Sequence, residues 1–255
     1  MSDERPASGG PSRAPNPSDP GEAAVPEGLV TAVVNLVHTG PVALGAYTIA
    51  ELTAVDAIVD FLEARPSDEV LAEAVRSLAA RQLLLAGPSG EEIQVRGDLG
   101  IAVALQQRSR KVLDARTTGT GPGEPWRILL LPQPEPICLV VRIDALGVHQ
   151  LGLYTSEEAF RLLTDWLPRG TSAGAGAGDA DSVLAAAERS ALVTVTHYTA
   201  NGSAEVAGAS TDLVLARADG RLHAFSRDAQ ARGELVASPL DGRDGVHDRL
   251  VELLA

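Results

Sequence analysis

The chain is short of the residues that usually carry chemistry. It has one cysteine, Cys138, which excludes an internal disulfide and any multi-cysteine metal site. Cys138 lies in a dense apolar run beside Leu139 and Val140, where a small buried side chain is reason enough for it. Aromatic residues make up only 3% of the chain, and Lys111 is the only lysine among 21 basic residues. Any core must therefore be built from alanine, valine and leucine. Positive charge is scarce too. The net charge is −13 and no segment is basic, which disfavours nucleic acid and anionic lipid as partners. No apolar run approaches the ~18 residues of a membrane span. The N-terminus, MSDERPASGG, has no apolar core of a signal peptide, so a cytoplasmic protein is expected.

Catalytic patterns are scarce as well. His38, His149, His197, His223 and His247 show no i, i+4 pair and no H-E-x-x-H spacing, so no zinc site is expected. Gly87-Pro88-Ser89-Gly90 lacks the spacing of a nucleophile elbow and reads as a turn. The glycine runs Gly119–Gly123 and Gly174–Gly178 do not join a strand to a helix, as a phosphate cradle must. These observations assign no catalytic, cofactor-binding or metal-binding residue, and a non-enzymatic protein is expected.

What is present is architecture. Residues 1–28 are rich in proline, serine, glycine and acid, and are expected to be a disordered tail. Leu29–Val37 reads as a strand. Thr48-x-x-Glu51 is a capping box that opens a helix through Ala64, with Ile49, Leu52, Val55, Val59 and Leu62 on its buried face. Ser67 caps a second helix, buried through Leu71, Ala74, Val75 and Leu78. After Leu83–Leu85 and a turn come a short strand, Glu92–Arg96, and a third helix from Leu99 to about Ala115, capped by Asp98. Thr117–Pro125 is a loop.

The centre of the chain is clearer. Trp126–Leu131 and Ile137–Ala145 read as strands, the latter too apolar for a surface position. Leu146-Gly147 turns into a strand Val148–Tyr154, and Thr155-x-x-Glu158 caps a helix ending at Leu167. Pro168–Ala180 reads as a Gly/Ala linker. A helix Asp181–Arg189 and a strand Leu192–Thr199 follow, with a turn signal at Asn201-Gly202. Asp219-Gly220, between Asp212–Ala218 and Arg221–Ser226, is the strongest hairpin signal in the sequence. A helix from Asp244 to Leu254 closes the chain. The Cys138–Leu167 pattern thus returns faintly from Asp212 onward, with His149 and His223 in similar places. The expected fold is α+β with two quasi-repeated lobes, 29–167 and 181–255, each an antiparallel sheet with packed helices, joined by the linker 168–180.

Two features are candidates for contact with a partner. Arg108, Arg110, Lys111 and Arg116 form the one dense basic cluster. At the end of a helix they would satisfy its dipole, and they could also meet an acidic partner or a phosphate. Residues 48–96, helix–helix–strand, resemble a winged helix-turn-helix, which makes a transcriptional regulator the alternative function. The second helix, however, carries Asp68, Glu69 and Glu73 against Arg76 and Arg81, a poor face for phosphates.

The order of elements also resembles a family. A helical pair ends in ARQLL, a central hairpin CLVVRIDALGVHQLGLY runs into FRLLTDWL, and a second lobe ends in DLVLARADGRLHAF and RLVELLA. This is similar to the EspG-type chaperones of type VII (ESX) secretion in actinobacteria. The resemblance implies a two-lobed α+β fold with quasi-two-fold symmetry, and a cytoplasmic adaptor that holds a secretion substrate in soluble form.

Overall fold

Ile137–Ile143 is buried on both faces, as its dense apolar run predicts, and the rest of the fold is arranged around it. The computed structural model describes residues 26–57, 66–87, 93–174, 179–201, 204–227, 234–238, 240 and 245–254. The expected tail as far as residue 25, the end of the helix expected to reach Ala64, the turn at 88–90, the glycines within 175–178 and Gly202 lie outside them; the last two residues of that expected tail, Glu27 and Gly28, instead begin a helix.

The elements run α1 Glu27–Val37, β1 Val42–Thr48, α2 Ile49–Ala54, α3 Asp68–Ala80, β2 Leu84–Ala86, β3 Ile93–Val95, α4 Gly97–Arg108, β4 Lys111–Thr117, β5 Arg127–Pro132, β6 Ile137–Ile143, β7 Val148–Thr155, α5 Ser156–Trp166, β8 Thr171–Ser172, α6 Ala180–Ala186, β9 Arg189–Asn201, β10 Ala204–Ala218, β11 Arg221–Arg227, β12 Leu235–Ala237 and α7 Gly245–Leu254. The α+β class is the expected one. The strands of the two expected halves lie at opposite ends of one ten-stranded sheet, in the order β1-β7-β6-β5-β4-β9-β10-β11-β12. Its pairings are antiparallel except for β8, which lies parallel to β11. The halves meet where β4 pairs with β9, Leu113 opposite Val195 and Ala115 opposite Val193. β2 and β3 form a separate ribbon.

Alternation along the strands builds two cores. On one face Leu129, Leu131, Leu139, Val141, Leu151 and Leu153 pack with Val33 and Val37 of α1, Leu52 of α2, Leu78 of α3 and Leu99 and Leu105 of α4. On the other, Leu113, Leu130, Cys138, Val140, Val193, Val195, Leu213 and Leu215 pack with Leu163 of α5 and Leu250 of α7. The hairpins β6–β7 and β10–β11 are both present. The helices that follow them, α5 and α7, touch each other over the second core.

Several local signals are realised as read. Thr48 with Glu51, and Thr155 with Glu158, form complete capping boxes. Ser67 caps α3. Asp219 and Gly220 adopt φ of 51° and 71°, the left-handed pair that a tight hairpin needs.

Four further expectations are corrected. Leu29–Val37 is helix, not strand: its valines are spaced so that Val30, Val33 and Val37 share one buried face. The helix after Thr48 stops at Ala54. Asp56 turns left-handed at φ 55° and Ala57 N–H donates to the Leu52 carbonyl at 2.8 Å, a Schellman-type stop. The helix expected to reach Ala115 ends at Arg108, and Asp98 lies in its first turn rather than at its cap, which is Arg96. Lys111–Thr117 is instead a strand, because β5 and β9 pair with it on both sides. Finally, Thr171–Ser172, inside the expected linker, adds to the sheet beside β11.

Candidate functional site

The extra strand redistributes the basic cluster. Lys111 and Arg116 lie five residues apart on β4, about 17 Å at the rise of an extended chain. The odd spacing also puts them on opposite faces. Arg116 therefore leaves the group. Its Nε and Nη2 donate to Asp114 Oδ2 at 3.1 and 2.9 Å. The same carboxylate receives Arg127 Nε on Oδ1 and Arg127 Nη2 on Oδ2, both at 2.8 Å. Asp114 and Arg127 are buried, so the pair ties β4 to β5 on the α4 side of the sheet.

Arg108, Arg110 and Lys111 stay together, in the lining of a cleft of about 510 Å³. Its walls come from four places. The β5–β6 connection gives Pro132, Gln133 and Pro134, α5 gives Phe160, and α7 gives Val251 and Leu254. The cations come from the end of α4 and the start of β4. Apolar walls with a few polar groups at the rim are the usual make-up of a binding site of this size.

Local hydrogen bonds hold this corner in place. The buried Ser109 hydroxyl donates to the Lys111 carbonyl at 2.7 Å and lies 3.1 Å from the Pro132 carbonyl. Gln133 Nε2 donates to the carbonyls of Leu105 and Leu131, at 3.0 and 3.1 Å. It thereby takes up one of the carbonyls that the last turn of α4 leaves without a partner. Arg108 Nη2 donates to Glu135 Oε1 at 2.7 Å. That bond, against a smaller effect of burial, holds the Glu135 carboxyl below its ordinary value. Lys111 Nζ reaches the Leu254 carbonyl, which pins the last turn of α7 to the rim.

Gln133, Val251 and the two prolines of the cleft carry no functional signal in the sequence. Pro132-Gln133-Pro134 reads only as a connection between strands, and Phe160 and Leu254 only as core. They become a site because α5 and α7 are brought side by side over one face. Arg116, by contrast, had the composition of a site residue and none of the position.

The remaining candidates stay apart. His149 is buried on β7, with Nδ1 3.0 Å from the Gly147 carbonyl, while His223, on β11, stands opposite Ala216 of β10 toward the other end of the sheet. Among the described residues no three histidine, cysteine or acidic side chains gather to hold a metal. Cys138 is fully buried and its thiol is pushed up to about 12 by that burial, so it is no nucleophile. No helix of the described residues is long and apolar enough to cross a membrane. Neither a protein-family model nor a curated protein matches the chain.

Proposed function

We propose that this chain is a non-enzymatic, cytoplasmic protein-binding adaptor of chaperone type, whose partner is a protein such as a type VII secretion substrate. The carrying observation is the cleft between α5, α7 and the β5–β6 connection. It gathers Arg108, Arg110 and Lys111 among apolar walls, with Arg108 balanced by Glu135, on a chain of net charge −13. Such a lining suits a largely apolar partner segment that carries some acid. The family resemblance in element order supports the same reading.

The test is co-purification from cytoplasmic extract, followed by mass spectrometry, with wild type and Arg110→Glu side by side. A protein retained by the wild type and lost from the variant supports the adaptor; a wild type that retains no protein sinks it.

The winged-helix alternative keeps its outline, since α2 and α3 pack together ahead of the β2–β3 ribbon. The outer side of α3 argues against it. Asp68 and Glu69 occupy its first turn, and Arg76 is committed to Glu73 at 2.7 Å. A low-salt gel shift with genomic fragments is expected to show no retarded band, and a band that fades steeply with added salt would favour the regulator instead.

A further inference from the structure

We infer that two copies of this chain associate through the end of the sheet that holds α1 and β1, in a two-fold contact that continues the sheet from β1 into its mate. This goes beyond the adaptor reading and does not depend on it.

The observation that carries it is a gap in the charge. No Asp, Glu, Lys or Arg stands between Glu27 and Glu51, although 22% of the chain is charged. A stretch of that length would ordinarily hold about five such residues. Burial does not account for the gap. α1 turns Leu29, Ala32 and Leu36 outward, at the i, i+3, i+7 spacing of a helix-packing seam, with Leu29 39% and Leu36 53% exposed. β1 turns Ala43, Gly45 and Ala46 outward. The two elements belong to one end of the molecule, since α1 packs on β7, the strand beside β1.

β1 is also an edge. Among the described residues no strand lies on its outer side, so a row of its backbone N–H and C=O groups faces away from the sheet. Proteins guard such edges with lysine, inward charges or very short strands. The opposite edge follows that rule, since β12 has three residues. β1 has seven residues, none of them charged. Its bulge lies between Ala43 and Gly45, and residues 45–48 keep a regular register with β7. The Leu44 carbonyl at the bulge already accepts from the Tyr47 hydroxyl, at 2.8 Å.

The missing charge selects the partner. A foreign partner of an acidic chain gains from acid at the contact, because basic residues answer it. Around a two-fold axis each residue meets its own copy, so any charge there faces a like charge. A contact between copies is therefore the one that calls for no charge at all. On a chain of net charge −13, this end is where two copies approach with least repulsion. With the axis normal to the sheet, β1 pairs antiparallel with its mate, and both α1 helices lie over the same face.

The test is light scattering coupled to size-exclusion chromatography, on the full chain over a range of concentrations. The wild-type mass is expected to climb toward twice that of a single chain. It should climb further with added salt, which screens repulsion between two acidic copies. Ala46→Lys puts a charge beside the axis, and Leu36→Lys puts one on the α1 stripe. Both positions are exposed, and circular dichroism melts check that each variant folds. Both substitutions lower the net negative charge, so a weaker dimer cannot come from added repulsion overall. Each is expected to raise the dimer dissociation constant about tenfold or more. Val236→Lys, at an exposed position of β12, is expected to leave it unchanged. A wild type that stays monomeric at every concentration overturns the inference and leaves this end to a foreign partner. A dimer that Ala46→Lys or Leu36→Lys leaves intact, or one that salt dissociates, overturns it as well.

Discussion

Glu51 offers the most exacting check on how this fold is held. Its side chain is 7% exposed and accepts four hydrogen bonds. Thr48 N–H and Thr48 Oγ1 donate to Oε2 at 2.9 and 3.3 Å; Ser77 Oγ and Arg81 Nη1 donate to Oε1 at 2.8 and 3.0 Å. One carboxylate therefore closes the cap of α2 and ties it to α3. Arg81 lies in turn over the Tyr47 ring at 4.9 Å. Glu51→Gln keeps the shape but points an amide N–H₂ at donors on one side. Losing charge-assisted bonds there costs about 1.5–3 kcal/mol. The Arg81 pair adds at most about 1 kcal/mol, because the Arg81 side chain is 40% exposed and screened by water. A total near 3 kcal/mol corresponds to a fall in Tm of roughly 6–12 °C for a chain of this length.

The pH dependence gives a second handle on the same residue. Burial pushes the Glu51 carboxyl up, but the Thr48 backbone N–H, the Ser77 hydroxyl and Arg81 together outweigh it and leave the carboxyl below its ordinary value. A depressed acid stabilises the fold fully above its unfolded pKa, about 4.3. That contribution is lost as the pH falls through the lower folded value. Thermal melts followed by circular dichroism should therefore show wild type losing stability more steeply than Glu51→Gln as the pH drops below that point. A variant that melts with wild type at neutral pH, or parallel pH curves, would refute the argument.

Three further outcomes follow from the geometry. Burial, helped by the charge of Arg127 and opposed by the hydrogen bond to the Gly147 carbonyl, lowers the His149 pKa. Stability is then full above the ordinary histidine value of about 6.5 and declines as the pH falls toward the folded value; His149→Gln should flatten that stretch of a stability–pH curve measured by urea denaturation. Asp114→Ala removes the carboxylate that holds the buried Arg127 guanidinium, and is expected to cost about 3–5 kcal/mol in denaturant melts; a loss under about 1 kcal/mol would show the pair to be dispensable. Cys138 should resist maleimide in the native protein and react in guanidinium chloride, since a fully buried thiol pushed up to about 12 offers almost no thiolate; labelling of the native chain at the rate of a free thiol would contradict its placement.

What the sequence determined by itself was local. Thr48 with Glu51, and Thr155 with Glu158, specify their helix starts because the bonds span three residues and need nothing else. Asp219-Gly220 specifies its hairpin because left-handed backbone at both positions is a property of those two residues. The density of Ile137–Ile143 marks a central strand whatever lies beside it. The helix at Glu27–Val37 was legible in the spacing of Val30, Val33 and Val37, but the strand preference of valine hides it. Tertiary structure decided the rest. Lys111–Thr117 is a strand only because β5 and β9 satisfy its backbone on both sides, and no pattern within those residues states that. The same pairing fuses the strands of both halves into one sheet and sends Arg116 to the face opposite Lys111. It also brings α5 and α7 together over one face, where Phe160, Val251 and Leu254 close a cleft around Arg108, Arg110 and Lys111. Contacts between residues this distant along the chain depend on the whole sheet being assembled, so the site becomes visible only with the fold.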